Sequence, residues 1–225
     1  MHMASSDSSF ELIAARRRMV KEQLRARGIK DERVLAAMET VPRHSFLSGE
    51  QAAHAYDDAA LPSEEGQTIS QPYMVAVMSE ALRVSPGMRV LELGTGTGYQ
   101  TAILAALAKP GRVCSIERFA ALAQHAGERL RELGVDNVEI AVGDGTLGWP
   151  AAGATFERIL ITAAAPQVPG PVEAQLADGG ILVAPIGKEG MQTLMRLTRR
   201  GAAWDREAIL ECRFVPLIGE HGFGG

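Results

Sequence analysis

The sequence predicts an α/β fold, a doubly wound and mostly parallel seven-stranded sheet preceded by an N-terminal helical extension. Three observations predict it. From residue 89 onward, short apolar runs alternate with segments of helical period, the pattern of right-handed βαβ units. The first run leads directly into the turn Gly94-Thr95-Gly96-Thr97-Gly98. Acids then stand at or near the ends of three successive runs, at Glu92, Glu117 and Asp144.

Each element has a local reason. Residues 1–10 read as a disordered tail, Ser/Asp-rich after a cloning scar at Met1-His2-Met3. Residues 11–225 read as one domain, with an extension over 11–82 and the sheet core over 83–225. From Glu11, the positions Leu12, Ile13, Met19, Val20 and Leu24 recur at helical spacing, and Gly28 is the stop. Asp31 suits the cap of a second helix carrying Val34, Leu35 and Met38, ended by Pro42. Residues 42–71 show little periodicity, which marks a functional or disordered stretch. Gln71–Leu82 reads as a helix with Pro72 in its first turn. Strands are expected over Arg89–Leu93, Arg112–Glu117, Val138–Asp144, Phe156–Thr162 and Gly180–Ile186. The intervening helices are expected over Tyr99–Ala108, Phe119–Leu133 and Val172–Leu176. Two final strand-like runs, Gln192–Thr198 and Ile209–Leu217, lack a helix between them and predict an antiparallel edge.

Composition narrows the function classes. The chain has 225 residues and a formal charge of -4, which argues against a protein that coats nucleic acid. Residues 16–33 hold eight basic side chains against three acidic ones, read as a solvated helix face rather than a nucleic-acid contact. Apolar runs such as Ala102–Ala108 are too short to span a bilayer, and no secretory signal is visible. Cys114 and Cys212 lie far apart without a paired spacing, which predicts a reducing compartment. The histidines form no ligand spacing, so no metal is expected.

The glycine turn has G-x-G-x-G spacing, with Tyr99 where the dinucleotide fingerprint would place its last glycine. That disfavours an NAD-binding protein. By itself the turn could be only a tight strand-to-helix connection, and each acid could be an ordinary surface residue. Together they describe a ligand. Glu92 can receive an ammonium group. Glu117, 23 positions after Gly94, can accept from both ribose hydroxyls. Asp144, in Gly143-Asp144-Gly145, can accept from an adenine amino group while the glycines admit the ring. An ammonium, a ribose and an adenine without a pyrophosphate make S-adenosylmethionine, and the sheet is then a Rossmann-like methyltransferase core.

The acceptor is less directly legible. After the fourth strand comes Thr162-Ala163-Ala164-Ala165-Pro166, without the Asn or Asp that would receive an exocyclic amine. No general base is evident. An acceptor already ionised at neutral pH needs none, and a carboxylate is such an acceptor. Its site must then supply position, desolvation and hydrogen bonds.

Several motifs, spread from about Met19 to Phe223, resemble the protein-L-isoaspartate O-methyltransferase family. The most specific is Gly66-Gln67-Thr68-Ile69-Ser70-Gln71-Pro72 with the following Met74-Val75-Ala76. Others are Val41-Pro42-Arg43, Ala55-Tyr56-Asp57-Asp58, Tyr99-Gln100-Thr101, Ile116-Glu117-Arg118, Gly143-Asp144-Gly145 with Gly148-Trp149-Pro150, Thr162–Pro166, and Arg213–Leu217. The resemblance implies a cytosolic repair enzyme that methylates the α-carboxylate of isoaspartyl residues in damaged proteins and peptides. The ester then collapses to a succinimide. It implies catalytic roles for Ser70 and Thr68, which could otherwise merely cap the next helix. Cofactor contacts fall on Glu92, Gly94, Thr95, Gly96, Gly98, Glu117, Arg118, Asp144 and Gly145. The substrate cleft falls on Gln67, Ile69, Ala164, Ala165, Pro166, Val215, Pro216 and Leu217. A monomer is expected, with neither nucleic acid nor membrane as partner. The alternatives are a methyltransferase for another carboxylate or small molecule, and a non-catalytic S-adenosylmethionine-binding regulator. One stretch departs from the family pattern. Ser63-Glu64-Glu65 replaces an apolar-glycine tip beside the expected cleft, which bears on peptide preference and loop motion.

Overall fold

The computed structural model describes residues 4–224, with side chains from Phe10 onward. Helix α1 (Ala4–Arg18) begins well before the expected tail boundary at residue 10. Serine and aspartate favour the first turn of a helix, so a Ser/Asp-rich start is compatible with one. The expected scar at residues 1–3 lies outside the described residues. A wider turn (Met19–Leu24) and a 3-10 turn (Arg25–Arg27) carry the helix on to Gly28, whose φ of 99° ends it. Helix α2 (Glu32–Thr40) is capped as expected, the Asp31 carboxylate accepting the Arg33 N–H at 2.9 Å.

The aperiodic stretch is ordered by short turns at Arg43–Phe46 and Gly49–His54 and by a small antiparallel hairpin. Its strands are β1 (Leu61–Pro62) and β2 (Thr68–Ile69), and its tip carries Glu65 at φ 55°. Helix α3 (Pro72–Leu82) follows, with Pro72 in its first turn.

The core alternates β3 (Arg89–Leu93), α4 (Tyr99–Ala108), β4 (Arg112–Glu117), α5 (Ala120–Glu132) and β5 (Val138–Val142). It continues with β6 (Phe156–Ile161), α6 (Gly170–Ala174), β7 (Leu176–Lys188), β8 (Met191–Arg200) and β9 (Ala203–Cys212). The seven strands lie in the order β5-β4-β3-β6-β7-β8-β9. The first five are parallel, and β8 runs antiparallel to both its neighbours. Strand order reverses at β3, so a crevice opens at the carboxyl ends of β3 and β6. Alternate residues of β3 face two cores. Val90 packs with α3, α4 and the N-terminal helices, whereas Leu91 and Leu93 pack with Trp149, Val172 and Leu217. No helix among the described residues is long and apolar enough to cross a membrane.

Several boundaries differ from expectation, β7 and β8 being longer than expected at both ends. Strand β5 stops at Val142, because Asp144 caps the short turn Gly145–Leu147 that follows. Helix α6 ends at Ala174, and Leu176 already pairs with Phe156. The turn at Gly201 is tight, and charged residues extend the last strand back to Ala203. They are held in register by the Arg196–Glu207 and Arg200–Asp205 ion pairs. Residues 213–217 leave the ladder beyond Cys212. Pro216 has no N–H to donate to a ladder, and the segment instead turns across the sheet end to meet Ala164.

Candidate active site

A cavity of about 410 Å3 lies at that crevice, within the roughly 300–1,000 Å3 typical of ligand sites. One wall is the glycine turn with the ends of β3 and β4. The second is the hairpin segment Gly66–Ser70 together with Val75 and Met78 of α3. The third is Val215–Ile218.

The glycine turn is built by its neighbours. Gly94 has φ 97°, and a Cβ there would stand 2.3 Å from Thr162 Oγ1, so this position excludes a side chain on two counts. That hydroxyl lies 2.8 Å from the carbonyls of both Leu93 and Gly94 and ties the end of β6 to the turn. Gly96 borders the cavity with open space where a side chain would sit. Gly98 is the N-cap of α4. It packs against Ala126 and Phe46 and does not itself line the cavity.

Glu117 ends β4 at the cavity and is 6% exposed. Its Oε2 accepts the Gly96 N–H at 2.8 Å and its Oε1 accepts the Phe119 N–H at 3.0 Å. A carboxylate offers about four lone-pair positions, so about two remain for a ligand. Arg118 is exposed at the rim. Gly143 and Gly145 floor the far end, and Phe119 borders it.

Two of the three predicted acids do not line the cavity. Glu92 points to the α3/α4 side of the sheet and is wholly buried, its Oε2 accepting Thr101 Oγ1 at 2.5 Å and Ser115 Oγ at 2.7 Å. Burial pushes its pKa up to about 8. The Asp144 carboxylate is occupied by the chain's own backbone and hydroxyls. Oδ1 accepts from Thr146 N and Oγ1, and Oδ2 accepts the Glu220 N–H at 2.8 Å. Burial acts to raise its pKa, but these hydrogen bonds outweigh it and the net shift is downward. Asp144 therefore anchors the C-terminal wall rather than facing the cavity.

The expected cleft residues divide similarly. Gln67, Thr68, Ile69, Ser70, Val215, Pro216 and Leu217 line the cavity, whereas Ala164, Ala165 and Pro166 do not. Ala164 is stitched to the wall, its N–H donating to Val215 O at 2.8 Å and its carbonyl accepting from Leu217 N at 2.7 Å. Ala165 is bonded to Pro185 and Gly187, and Pro166 points to solvent. Thr162 and Ala163 take their place. The capping alternative for Ser70 and Thr68 fails, because the N-cap of α3 is Gln71, with no side-chain cap bond. The Ser70 hydroxyl makes no hydrogen bond among the described residues and stands at the cavity, half-buried.

Glu64, at the hairpin tip, is ion-paired to α5. Its Oε2 is 2.6 Å from His125 Nδ1 and its Oε1 is 3.5 Å from Arg129. Phe119, Ile218 and Arg43 carry roles that sequence reading did not assign. Arg43 is completely buried, donates from Nε to Ala55 O at 2.7 Å, and lies 5.0 Å from the ring centroid of Tyr99, a cavity residue. Among the described residues, no three of His, Cys, Asp or Glu are grouped to hold a metal ion.

The family model for protein-L-isoaspartate(D-aspartate) O-methyltransferase matches residues 15–222. Protein-L-isoaspartate O-methyltransferase 2 of Geotalea uraniireducens is 53% identical over 212 residues, covering 94% of this chain and 96% of the relative. The protein-L-isoaspartate O-methyltransferase of Magnetococcus marinus is 51% identical over 210 residues, covering 93% and 90%. A solved protein-L-isoaspartate O-methyltransferase superposes with a TM-score of 0.83 at 29% identity, over 92% of this chain and 67% of that one. A Plasmodium falciparum structure described under the same activity, in complex with S-adenosyl-L-homocysteine, gives 0.78 at 26% identity, over 90% of this chain and 98% of that one.

Proposed function

The chain belongs to the protein-L-isoaspartate O-methyltransferase family, and from that premise we propose how its residues methylate the α-carboxylate of isoaspartyl residues. The observation that carries the proposal is that one cavity is walled by both the Glu117-braced glycine turn and the Gln67–Ser70 segment. A cofactor on the first and a peptide on the second would meet there.

The residues present fit S-adenosylmethionine. Glu117 keeps acceptor capacity for two ribose hydroxyls. The N-terminus of α4, behind the Gly96 turn, offers first-turn backbone N–H groups suited to a carboxylate. Gly143, Gly145 and Phe119 line the far end without bulky polar side chains, which suits adenine, and Arg118 stands at the rim. When bound, the cofactor supplies an electrophilic sulfonium methyl that passes to a carboxylate oxygen by direct displacement. The chain's task is position. Ser70, with Thr68 beside it, donates to the acceptor carboxylate and orients it. Ile69 is the buried anchor that fixes both hydroxyls. Val215–Leu217, held by Ala164 and Asp144, forms the opposing wall against the peptide. Desolvation by these apolar walls raises the reactivity of the carboxylate. No residue needs to act as general base.

Both thiols, Cys114 and Cys212, are free, which supports a reducing, cytoplasmic setting. The net charge of -4 supports action on peptides and proteins rather than on nucleic acid or membrane, and we infer a monomer. Incubation with labelled S-adenosylmethionine and an isoaspartyl peptide tests the reading. A labile methyl ester that decays to a succinimide is expected. Binding of the cofactor without transfer would instead indicate a regulator.

A further inference from the structure

Glu92 is the one acid of the glycine-turn strand, yet it does not reach the cavity. It has no exposed surface. Its Oε2 accepts Thr101 Oγ1 from α4 and Ser115 Oγ from β4. Because Ser115 spends its proton on Glu92, the 2.6 Å contact between Thr95 and Ser115 runs from Thr95 to Ser115. Thr95 is a wall of the cavity. The carboxyl is thus two hydrogen bonds behind the cofactor surface. Its Oε1 has no hydrogen-bond partner among the described residues.

The surroundings oppose a charge here. On β6 the residue opposite in register is Leu160, on α4 the contact is the neutral Thr101, and on β4 the charged neighbour is another acid, Glu117. No cation is bonded to Glu92 among the described residues. A buried carboxylate in such a place is strongly disfavoured, and one protonated oxygen without an acceptor is the cheaper state. Burial accordingly raises its pKa to about 8. The missing element is a positive charge on the far side of Thr95.

We propose that Glu92 is the buried counter-charge of a cationic cofactor: protonated in the free protein, it ionises when the sulfonium enters and recovers its proton once the methyl group has left. The inference rests on the S-adenosylmethionine reading above. Its balance is closed. On binding, the Glu92 proton passes to solvent. On transfer, the sulfonium and the acceptor carboxylate become a neutral thioether and a neutral ester. The charge that held Glu92 ionised is then gone, and a proton returns from solvent. The device favours substrate cofactor over product, because S-adenosylhomocysteine shares the ammonium and the carboxylate but lacks the sulfonium. It makes Glu92 a positioning and electrostatic residue, not one that touches the reacting atoms.

Calorimetry of the full chain near pH 7, in two buffers of different ionisation enthalpy, tests this. The groups common to both ligands cancel in the difference between S-adenosylmethionine and S-adenosylhomocysteine. Roughly half to one extra proton should be released with S-adenosylmethionine. Glu92→Gln should abolish that difference. It should also weaken S-adenosylmethionine several-fold at alkaline pH while leaving S-adenosylhomocysteine nearly unchanged. Equal proton counts for the two ligands in the unmodified protein would overturn the inference and leave the functional reading intact. Absence of S-adenosylmethionine binding in either buffer would overturn both. If Glu92→Gln fails to fold, infrared difference spectra of the unmodified protein replace it. The protonated-carboxyl band should vanish with S-adenosylmethionine and persist with S-adenosylhomocysteine. Its persistence with both would refute the inference.

Discussion

The Glu117 carboxylate is hydrogen-bonded through Oε2 to the Gly96 N–H at 2.8 Å, so the acid that faces the cavity also fixes the glycine turn that walls it. Its second oxygen accepts from Phe119 N at 3.0 Å. Removing it should loosen the turn and lose the ribose contacts together. Charge-assisted hydrogen bonds are worth about 1.5–3 kcal/mol each. Glu117→Ala should weaken S-adenosylmethionine binding at least ~10-fold, with Glu117→Gln intermediate because it keeps one acceptor. Calorimetry reads this, and unchanged affinity would remove Glu117 from the site.

Ser70 stands at the cavity with its hydroxyl unengaged by the protein among the described residues. Ser70→Ala should therefore leave the melting temperature unchanged while lowering kcat more than it raises KM, by on the order of 10-fold. Steady-state kinetics with thermal melts separates the two readouts. A lower melting temperature with normal turnover would mark a purely structural residue.

From sequence, Glu64 reads only as one of two acids that replace an apolar-glycine tip beside the expected cleft. The structure instead pairs it with His125 and Arg129 of α5, leaving exposed Glu65 as the remaining acid of the tip. Glu64 thus latches the hairpin that carries Gln67–Ser70 onto the core. Half-exposed ion pairs contribute about 0–1 kcal/mol. Glu64→Gln should accelerate cofactor dissociation by no more than ~5-fold, and His125→Ala should add little to it, because Glu64→Gln already breaks the His125 pair. Stopped-flow release measures both. Fully additive effects would deny the latch.

The buried acid also sets a pH dependence of stability. The Glu92 pKa is raised from 4.5 to about 8 by burial. Between those values the folded chain keeps a proton that the unfolded chain has lost. Its contribution is therefore complete below the lower value and is lost as pH rises through the upper one, an effect of a few kcal/mol. Glu92→Gln has nothing to ionise, so its stability relative to the unmodified protein should climb from acidic pH to about pH 8. Chemical denaturation across that range tests the sign, and a constant difference would contradict it.

What the sequence revealed and what it concealed follow from the range of the interactions. The sheet, the glycine turn, Asp31 as a cap and the antiparallel edge were legible because periodicity, glycine spacing and turn chemistry are local. Glu117 was legible because a strand end places a side chain at the sheet edge. Glu92 was misplaced by strand alternation. It shares a face with Val90, toward α4, and only the fold brings Thr101 and Ser115 to it. Asp144 was misread because its partners, Glu220 and His221, lie some 75 residues away and reach it and Thr146 by backbone N–H groups that no motif encodes. Arg43 and Glu64 depend on Tyr99 and His125, which are also remote in the chain.

Under the proposed function, the cavity positions an isoaspartyl α-carboxylate, and not an ordinary aspartyl side chain, for displacement. An isoaspartyl linkage adds a backbone methylene and presents the α-carboxylate as a branch. A normal side chain gripped by the same walls arrives displaced by about the ~1 Å that already costs ~100-fold. The most direct measurement is labelled-methyl transfer to two peptides identical except for that linkage. A kcat/KM at least ~100-fold higher for the isoaspartyl peptide is predicted, and equal methylation of the two peptides would contradict the account.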